Sequence, residues 1–240
     1  MILDELTMKE FKLKLNKDSI AIVPFGIIEE HGEHLPLSTD SLQVEYVVEK
    51  VAEKIPNTFL LPCIRYGVCV STRNFQGSIS LSFDTMRSLA YDIFSELYRN
   101  GFRKIAAISG HAGRTHIQAL RQAAERLVEE KKIKILVLSD YDLLYDKNGR
   151  ELLSKLGIPE WDEHGGAIET SRILSIRKEL VKAERTVSKP KIPKYLVFSG
   201  IEKKFPKGII GNPKLATPAI GIKINEYVVN EIVKLIEAMK

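Results

Sequence analysis

Cysteine is scarce in this chain of 240 residues, and long apolar runs are absent. The two cysteines, Cys63 and Cys69, are too few and too close together for a disulfide framework, and they lie in an apolar, strand-like stretch. We therefore expect two reduced, partly buried thiols. No segment approaches the roughly 20 apolar residues needed to cross a bilayer, and the first fifteen residues mix acids with lysines. These absences predict a cytoplasmic protein with no membrane partner.

A compact basic stripe is also lacking. The formal net charge of +5 comes from lysines spread along predicted helices and collected in the segment 178–207. A nucleic-acid partner would be indicated by a compact basic stripe interleaved with aromatic residues, so we expect a solvated surface and no nucleic acid. The composition, 44% hydrophobic and 28% charged, is ordinary for a globular protein and does not shift along the chain. It predicts a single domain over residues 1–240.

Apolar strand-like runs alternate with amphipathic helical segments. The predicted strands cover 19–28, 58–64, 103–109 and 133–139, and the predicted helices cover about 40–54, 84–100, 114–131, 164–178 and 222–240. Pro24 interrupts the first strand pattern, and residues 141–163 show no clear pattern. The alternation predicts an α/β fold, with a mostly parallel sheet covered by helices.

All five histidines fall in three short stretches that also carry glycines, and two of the stretches carry carboxylates. The densest stretch, 29–40, reads EEHGEHLPLSTD, and the other two are 109–116 and 162–166. Imidazole nitrogens together with carboxylate oxygens suit Zn²⁺, with Mn²⁺ or Fe²⁺ as alternatives in sites rich in oxygen. The histidines are His31, His34, His111, His116 and His164.

Two of these stretches follow predicted strands. Glu29 and His31 are two residues apart, so they project to the same side of a strand end, while Asp40 returns at the start of the next helix. His111 follows a second strand. Because ligands of parallel sheets collect beyond the carboxyl ends of the strands, we predict that these four residues share one metal site.

Several neighbouring polar residues have two readings. Glu30, Glu33 and His34 are either loop residues or hydrogen-bond partners of metal ligands. The glycines beside the histidines are either turn residues or places where a backbone N–H reaches a substrate oxygen. His164, at a predicted helix start, is either a neutral general base or a capping residue.

Five motifs in order along the chain resemble those of the creatininase family of metal-dependent amidohydrolases. Residues 29–40 match the pattern E-x-H-G-x-H-L-P-L-x-T-D throughout. Residues 109–114 (SGHAGR) resemble N-G-H-G-G-N, and residues 164–171 (HGGAIETS) resemble H-A-G-x-x-E-T-S. Residues 75–81 (FQGSISL) and 208–213 (GIIGNP) resemble F-P-G-T-I-S-L and G-V-x-G-D-P.

The resemblance implies a three-layer α/β/α domain with two Zn²⁺ or Mn²⁺ ions per chain, often assembled as a homohexamer. It implies that Glu29 and His111 hold one metal, that His31 holds the other, and that Asp40 bridges them. It also implies that a water or hydroxide between the metals is the nucleophile. His164 would carry its proton to the leaving nitrogen.

The chain departs from the family pattern at several positions. Creatininases carry a glutamate where this chain has Gly113, so one ligand of the second metal is missing from its usual place. Glu169 is the predicted replacement, because it matches the glutamate of the third motif and lies just over one helical turn from His164. Its alternative role is to orient His164 during catalysis.

Two arginines also replace family residues near the predicted mouth of the site. They are either surface residues or contacts for a phosphate or carboxylate of the substrate. The full set of predicted substrate-binding residues is His34, Gly110, Arg114, Gly165 and Arg73.

The leading functional hypothesis is a metal-dependent amidohydrolase that cleaves a cyclic amide or a formamide in a small molecule. A peptidase that processes a modified peptide is an alternative from another enzyme class, and an open groove would favour it. A metal-binding scaffold without activity is the third reading, supported by Gly113.

Overall fold

The computed structural model describes residues 1–193, 195–196 and 198–239. Its strands are β1 (Ile20–Phe25), β2 (Thr58–Leu60), β3 (Lys104–Ser109) and β4 (Lys134–Ser139). They form one parallel sheet in the order β2-β1-β3-β4. The helices are α1 (Met8–Lys14), α2 (Thr39–Lys54), α3 (Phe83–Arg99), α4 (Arg114–Glu130), α5 (Asp140–Leu144), α6 (Lys147–Lys155), α7 (Ala167–Ile176) and α8 (Pro218–Glu237).

Helices cover both faces of the sheet. Side chains alternate along β1, so Ile20 and Ile22 pack with α2, α7 and α8, while Val23 and Phe25 pack with α3 and α4 on the opposite face. Each face carries its own buried apolar cluster. The predicted α/β class is therefore confirmed, as is the three-layer arrangement.

The structure refines several predicted boundaries. The second strand pairs regularly only over β2, shorter than predicted, although the N–H groups of Leu61 and Ile64 still donate to β1. Pro24 is tolerated in β1 because its carbonyl faces Ile64, beyond the end of β2, where no regular ladder needs its missing N–H. Helix α8 begins four residues before the predicted start at Ile222, and Lys240, its predicted end, lies outside the described residues.

The structure also bears on the predictions for residues 141–163, for the two cysteines and for membrane-spanning segments. The stretch without a clear pattern contains α5 and α6, two short helices that begin at capping residues. Cys63 and Cys69 are free thiols, half-buried and buried, as expected. Within the described residues, no helix has the length and apolar character needed to span a membrane.

The first turn of α2 packs closely on the ends of two strands. A Cβ atom on Gly26, just after β1, would lie 2.3 Å from Ser41 Oγ, and one on Gly110, just after β3, would lie 2.1 Å from the Asp40 carbonyl oxygen. Only glycine permits these approaches. The two strand ends and the start of α2 therefore meet at one point.

A buried polar network joins the helices on one side of the sheet. Arg172 of α7 donates to the Asp140 carboxylate of α5, and both side chains are fully buried. Arg172 Nε also donates to Asn225 Oδ1 of α8 at 2.8 Å. Since a buried charge needs its partner, this ion pair fixes α7 against α5 and α8.

We predict that Arg172→Met lowers the free energy of unfolding by about 3–5 kcal/mol, because it leaves the Asp140 carboxylate buried without its cation. The double variant Asp140→Leu/Arg172→Met should recover most of that loss. Urea denaturation measures both. Arg99→Met, which breaks an exposed pair with Glu96, is the control and should have a much smaller effect. A loss in Arg172→Met no larger than the control's would contradict the prediction.

Candidate metal centre

Six side chains of types that can ligate a metal converge beyond the carboxyl ends of β1 and β3. They form two groups, and within each group the ligand atoms lie within 4.8 Å of one another. The neighbouring strands β1 and β3 deliver their loops to the same edge of the sheet, and α2, α7 and the loop before α7 supply the rest. The first group is Glu29, Asp40 and His111, and the second is His31, His164 and Glu169.

Asp40 connects the two groups. Its Oδ1 lies 3.1 Å from His31 Nε2, and its Oδ2 lies 3.0 Å from His111 Nδ1. Each carboxylate oxygen therefore faces a different group. This is the arrangement that a bridging carboxylate requires, and the bridging role of Asp40 stays a prediction.

Glu29 carries an oxygen that suits a metal. Glu29 Oε2 lies 2.9 Å from His111 Nδ1, yet among the described residues no group gives it a hydrogen bond of acceptable angle. Its other oxygen, Oε1, accepts a hydrogen bond from the Thr72 hydroxyl. A buried carboxylate oxygen without a donor is costly, and a cation would satisfy it.

The second group surrounds the side chain of His31. His31 Nε2 lies 3.7 Å from Glu169 Oε2, and the His31 and His164 rings are 4.4 Å apart between centroids. Glu169 also accepts a hydrogen bond from the Gly165 N–H. The His164 side chain is 19% exposed and the other five are at most 9% exposed, so His164 faces the opening of the site.

Main-chain carbonyls fix the tautomers of the three histidines. His31 Nδ1 lies 3.1 Å from the Glu29 carbonyl, His111 Nε2 lies 3.1 Å from the Val68 carbonyl, and His164 Nε2 lies 2.8 Å from the Glu30 carbonyl. A carbonyl only accepts, so each of these nitrogens carries a proton, and the opposite ring nitrogen is the one available to a metal. Metal-binding histidines are held in this way.

The charges of the site depend on one another. Burial alone would lower the pKa of His31, but Asp40 and Glu169 outweigh it and raise that pKa well above its usual range. Burial would raise the pKa of Glu29, but His111 outweighs it and holds that pKa at about 2. In the same way, His31 and His111 keep the pKa of Asp40 well below its usual range. The carboxylates thus stay ionised and attract positive charge, which a divalent cation would supply. The donor set fits such a cation.

His164 differs from its predicted state. The sequence places it at a helix start and predicts a neutral imidazole, whereas α7 begins three residues later, at Ala167. Burial and His31 lower the pKa of His164, but Glu30 and Glu169 outweigh them and raise it. Neighbouring carboxylates, rather than a helix dipole, therefore control its protonation.

The predicted substrate-binding residues are spread around this centre. His34 is buried, with Nε2 2.9 Å from Thr170 Oγ1, which favours a supporting role. The N–H groups of Gly110 and Gly165 already donate, to the Phe25 carbonyl and to Glu169 respectively, so neither is free for a substrate oxygen.

The two predicted arginines are exposed. Arg114 lies at the first position of α4. Arg73 lines a cavity of about 390 Å³ together with Ser80, Leu81 and Ser82. It follows Thr72, whose hydroxyl contacts the metal-ligand candidate Glu29.

The structure shows what a side chain at Gly113, the place of the family glutamate, would meet. A Cβ atom on Gly113 would lie 2.2 Å from His111 Nε2, so the imidazole occupies the space that a side chain would need. Glu169, the predicted replacement, lies in the second group with His31 and His164, and its role as a ligand stays a prediction.

Sequence reasoning missed several residues that support the site. Thr72 contacts Glu29 from a loop 43 residues away in sequence. Asp162 accepts hydrogen bonds from the N–H groups of Ala167 and Ile168, and so fixes the start of α7. Asp162 lies in the third histidine stretch, where an Asp a few residues before a helix was an available capping signal.

His34 gives a pH prediction. Burial lowers its pKa from 6.5 to about 4, so the unfolded chain binds more protons than the folded one between these values. Stability contributed by neutral His34 is complete above pH 6.5 and is lost as the pH falls toward 4. We expect His34→Gln to reduce the slope of unfolding free energy against pH by up to one proton, measured by urea denaturation of chelator-treated protein. Equal slopes in the two proteins would contradict this.

Comparison with known proteins identifies the family of the chain. The family model described as creatinine amidohydrolase matches residues 4–236. The creatinine amidohydrolase of Pseudomonas putida is 31% identical over 95% of this chain and 93% of its own length. A mycofactocin precursor peptide peptidase of Mycobacterium ulcerans is 28% identical over 90% of this chain and 83% of its own length.

Solved structures show the same relationship. A creatininase structure described as the Mn form superposes with a TM-score of 0.88 at 28% identity, covering 99% of this chain and 98% of that one. A mutant creatininase described as the Zn–Zn type superposes with a TM-score of 0.86 at 28% identity, covering 99% of this chain and 97% of that one. The chain belongs to the creatininase family and is a hydrolase of carbon–nitrogen bonds.

Proposed function

We propose that the protein is a metal-dependent amidohydrolase that cleaves a cyclic amide or a formamide in a small molecule. The observation that carries this proposal is the Asp40 carboxylate, whose two oxygens face two separate groups of ligand atoms. The creatininase relatives support it, including the Mn and Zn–Zn forms. The whole chain would act as one catalytic domain.

The proposed centre holds two divalent cations, Zn²⁺ or Mn²⁺. Glu29 and His111 would hold one, His31 and Glu169 would hold the other, and Asp40 would contact both. Cations bound there polarise an amide carbonyl and lower the pKa of a water molecule toward about 7. Glu169 would replace the ligand that creatininases have at the place of Gly113.

His164 is the candidate for proton transfer. It is the most exposed of the six side chains, and its Nε2 is occupied by the Glu30 carbonyl, which leaves Nδ1 for a proton going to the leaving nitrogen. Glu169 lies in the same group and raises the His164 pKa, so it would also orient and charge this imidazole.

Access to the centre favours a small substrate. Five of the six ligand-forming side chains are at most 9% exposed, so little of the centre could meet an extended peptide. Arg73, beside the cavity of about 390 Å³, and Arg114 would bind an anionic group of the substrate, which would distinguish it from creatinine. We also propose a homohexamer, from the family, and a cytoplasmic location, from the sequence.

A peptidase function is the second candidate, because the mycofactocin precursor peptide peptidase is a relative over most of the chain. A panel of substrates separates the two: cyclic amides including creatinine, N-formyl compounds with and without a phosphate, and short peptides. We expect turnover of a cyclic amide or formamide by the Mn²⁺- or Zn²⁺-loaded protein, and none after Asp40→Ala. Turnover of peptides alone would favour the peptidase. Metal binding without turnover of any class would favour the scaffold.

The metal count provides a direct test. We expect elemental analysis to find about two metals per chain in the parent, a large loss in Asp40→Ala, and loss of about one in Glu169→Ala. His164→Ala should keep both metals yet lose activity if this side chain transfers protons. Glu163→Ala, which removes an exposed neighbouring carboxylate, is the matched control and should bind as the parent does. A parent that binds no metal after resupply with Zn²⁺ or Mn²⁺ would overturn the proposal.

A further inference from the structure

The fifth histidine, His116, has no place in the metal groups but lies directly beside them. It is on α4 and is fully buried. Its ring stands edge-on to His111, 5.3 Å between centroids, and to Phe25, at 6.4 Å. Burial lowers the pKa of His116 to about 3, so the imidazole is neutral near pH 7.

One ring nitrogen of His116 has a defined partner. The Val68 N–H donates to His116 Nδ1 at 3.3 Å. Since a backbone N–H only donates, Nδ1 is the acceptor and Nε2 carries the proton. Nε2 has no hydrogen-bond partner in the described part of the chain, and a buried N–H without a partner costs free energy. An apolar side chain would avoid that cost, so the value of an imidazole here lies in Nδ1.

Val68 connects His116 to the proposed metal centre. Its N–H is held by His116, and its carbonyl accepts from His111 Nε2 at 3.1 Å. The next N–H, that of Cys69, donates to Ser80 Oγ at 3.1 Å, which fixes the peptide plane that contains this carbonyl. A Cβ atom on Gly67 would lie 2.7 Å from two atoms of the His116 ring, so the ring packs directly against the main chain before Val68.

The Val68 carbonyl matters because it fixes His111. It keeps the proton on Nε2 and directs Nδ1 toward Glu29 Oε2 and Asp40 Oδ2, at 2.9 and 3.0 Å. A shift of Val68 would release the His111 ring to turn. The orientation of His111 therefore depends on a main-chain segment that His116 contacts through a hydrogen bond and ring packing.

We propose that His116 is a positioning residue for His111, acting through the main chain of Val68. The proposal rests on the proposed metal centre, and it predicts that an acceptor at the place of Nδ1 is what the centre requires from this position. Successive contacts connect α4 with the first ligand group, in the order His116, Val68, His111 and Asp40.

Two substitutions separate the effect of the hydrogen-bond acceptor on His116 from the effect of its side-chain packing. H116L removes the acceptor while keeping an apolar side chain of similar size, and H116N keeps an oxygen acceptor near the place of Nδ1. We expect H116L to weaken Zn²⁺ binding by about 10–100-fold, as loss of an outer partner of a metal ligand does, and H116N to restore most of the affinity. Competition with a chromophoric chelator measures this in the full chain, without an activity assay.

A spectroscopic readout tests the route through His111. In Zn²⁺-loaded protein labelled with ¹⁵N-histidine, the His111 Nε2–H should give a slowly exchanging signal in the parent and in H116N, and a faster-exchanging one in H116L. Leu120→Ala is the structural control, since it creates a cavity one helical turn further along α4. It should lower the melting temperature and leave Zn²⁺ affinity unchanged.

The outcomes separate this inference from the proposed function. A parent that binds no Zn²⁺ would overturn the metal centre itself. A parent that binds Zn²⁺, with H116L binding equally tightly or H116N as weakly as H116L, would overturn only the role of His116. An equal loss of affinity in Leu120→Ala would also overturn it, because general destabilisation would then explain the effect.

Discussion

The close approach of α2 to two strand ends is the constraint on which the site depends. Gly26 and Gly110 leave space for the first helical turn against β1 and β3, and this contact places Asp40 between the loops that follow the two strands. A side chain at either glycine would push the helix away. Asp40 would then lose its contacts with His31 and His111, and the two groups would no longer share a carboxylate.

Around Asp40 the protein concentrates charges that it could not bury singly. Three carboxylates and three imidazoles share the centre. Opposite charges there favour the ionised forms of their neighbours: His111 lowers the pKa of Glu29, and Asp40 and Glu169 raise the pKa of His31. Such a cluster is favourable only when positive and negative charges balance. Behind it, the ion pair of Arg172 with Asp140 fixes α7, which carries Glu169. Helix α7 thus carries both Glu169 of the charged centre and Arg172 of a second buried ion pair.

Much of this could be predicted from the sequence, because the signals were local. The apolar run before Glu29 and the helix that begins near Asp40 predicted that both residues meet at the end of a strand. The same reasoning placed His111 at the next strand end. Thr72 and Val68 could not be predicted, since their contacts with Glu29 and His111 join segments about 43 residues apart and depend on the path of a loop. Gly113 was recognised as a departure from the family, but only the structure shows that the His111 ring fills its space.

The carbonyls that orient His31, His111 and His164 all belong to the main chain. No point mutation deletes a carbonyl, so the direction of each ligand is insulated from most substitutions nearby. The side chains of Arg73 and Arg114, by contrast, are exposed and carry no such restriction. In a scaffold of this kind, main-chain groups orient the centre, and exposed side chains around it are free to change. Its reactive centre can persist through sequence drift while the loops around it acquire preferences for new substrates.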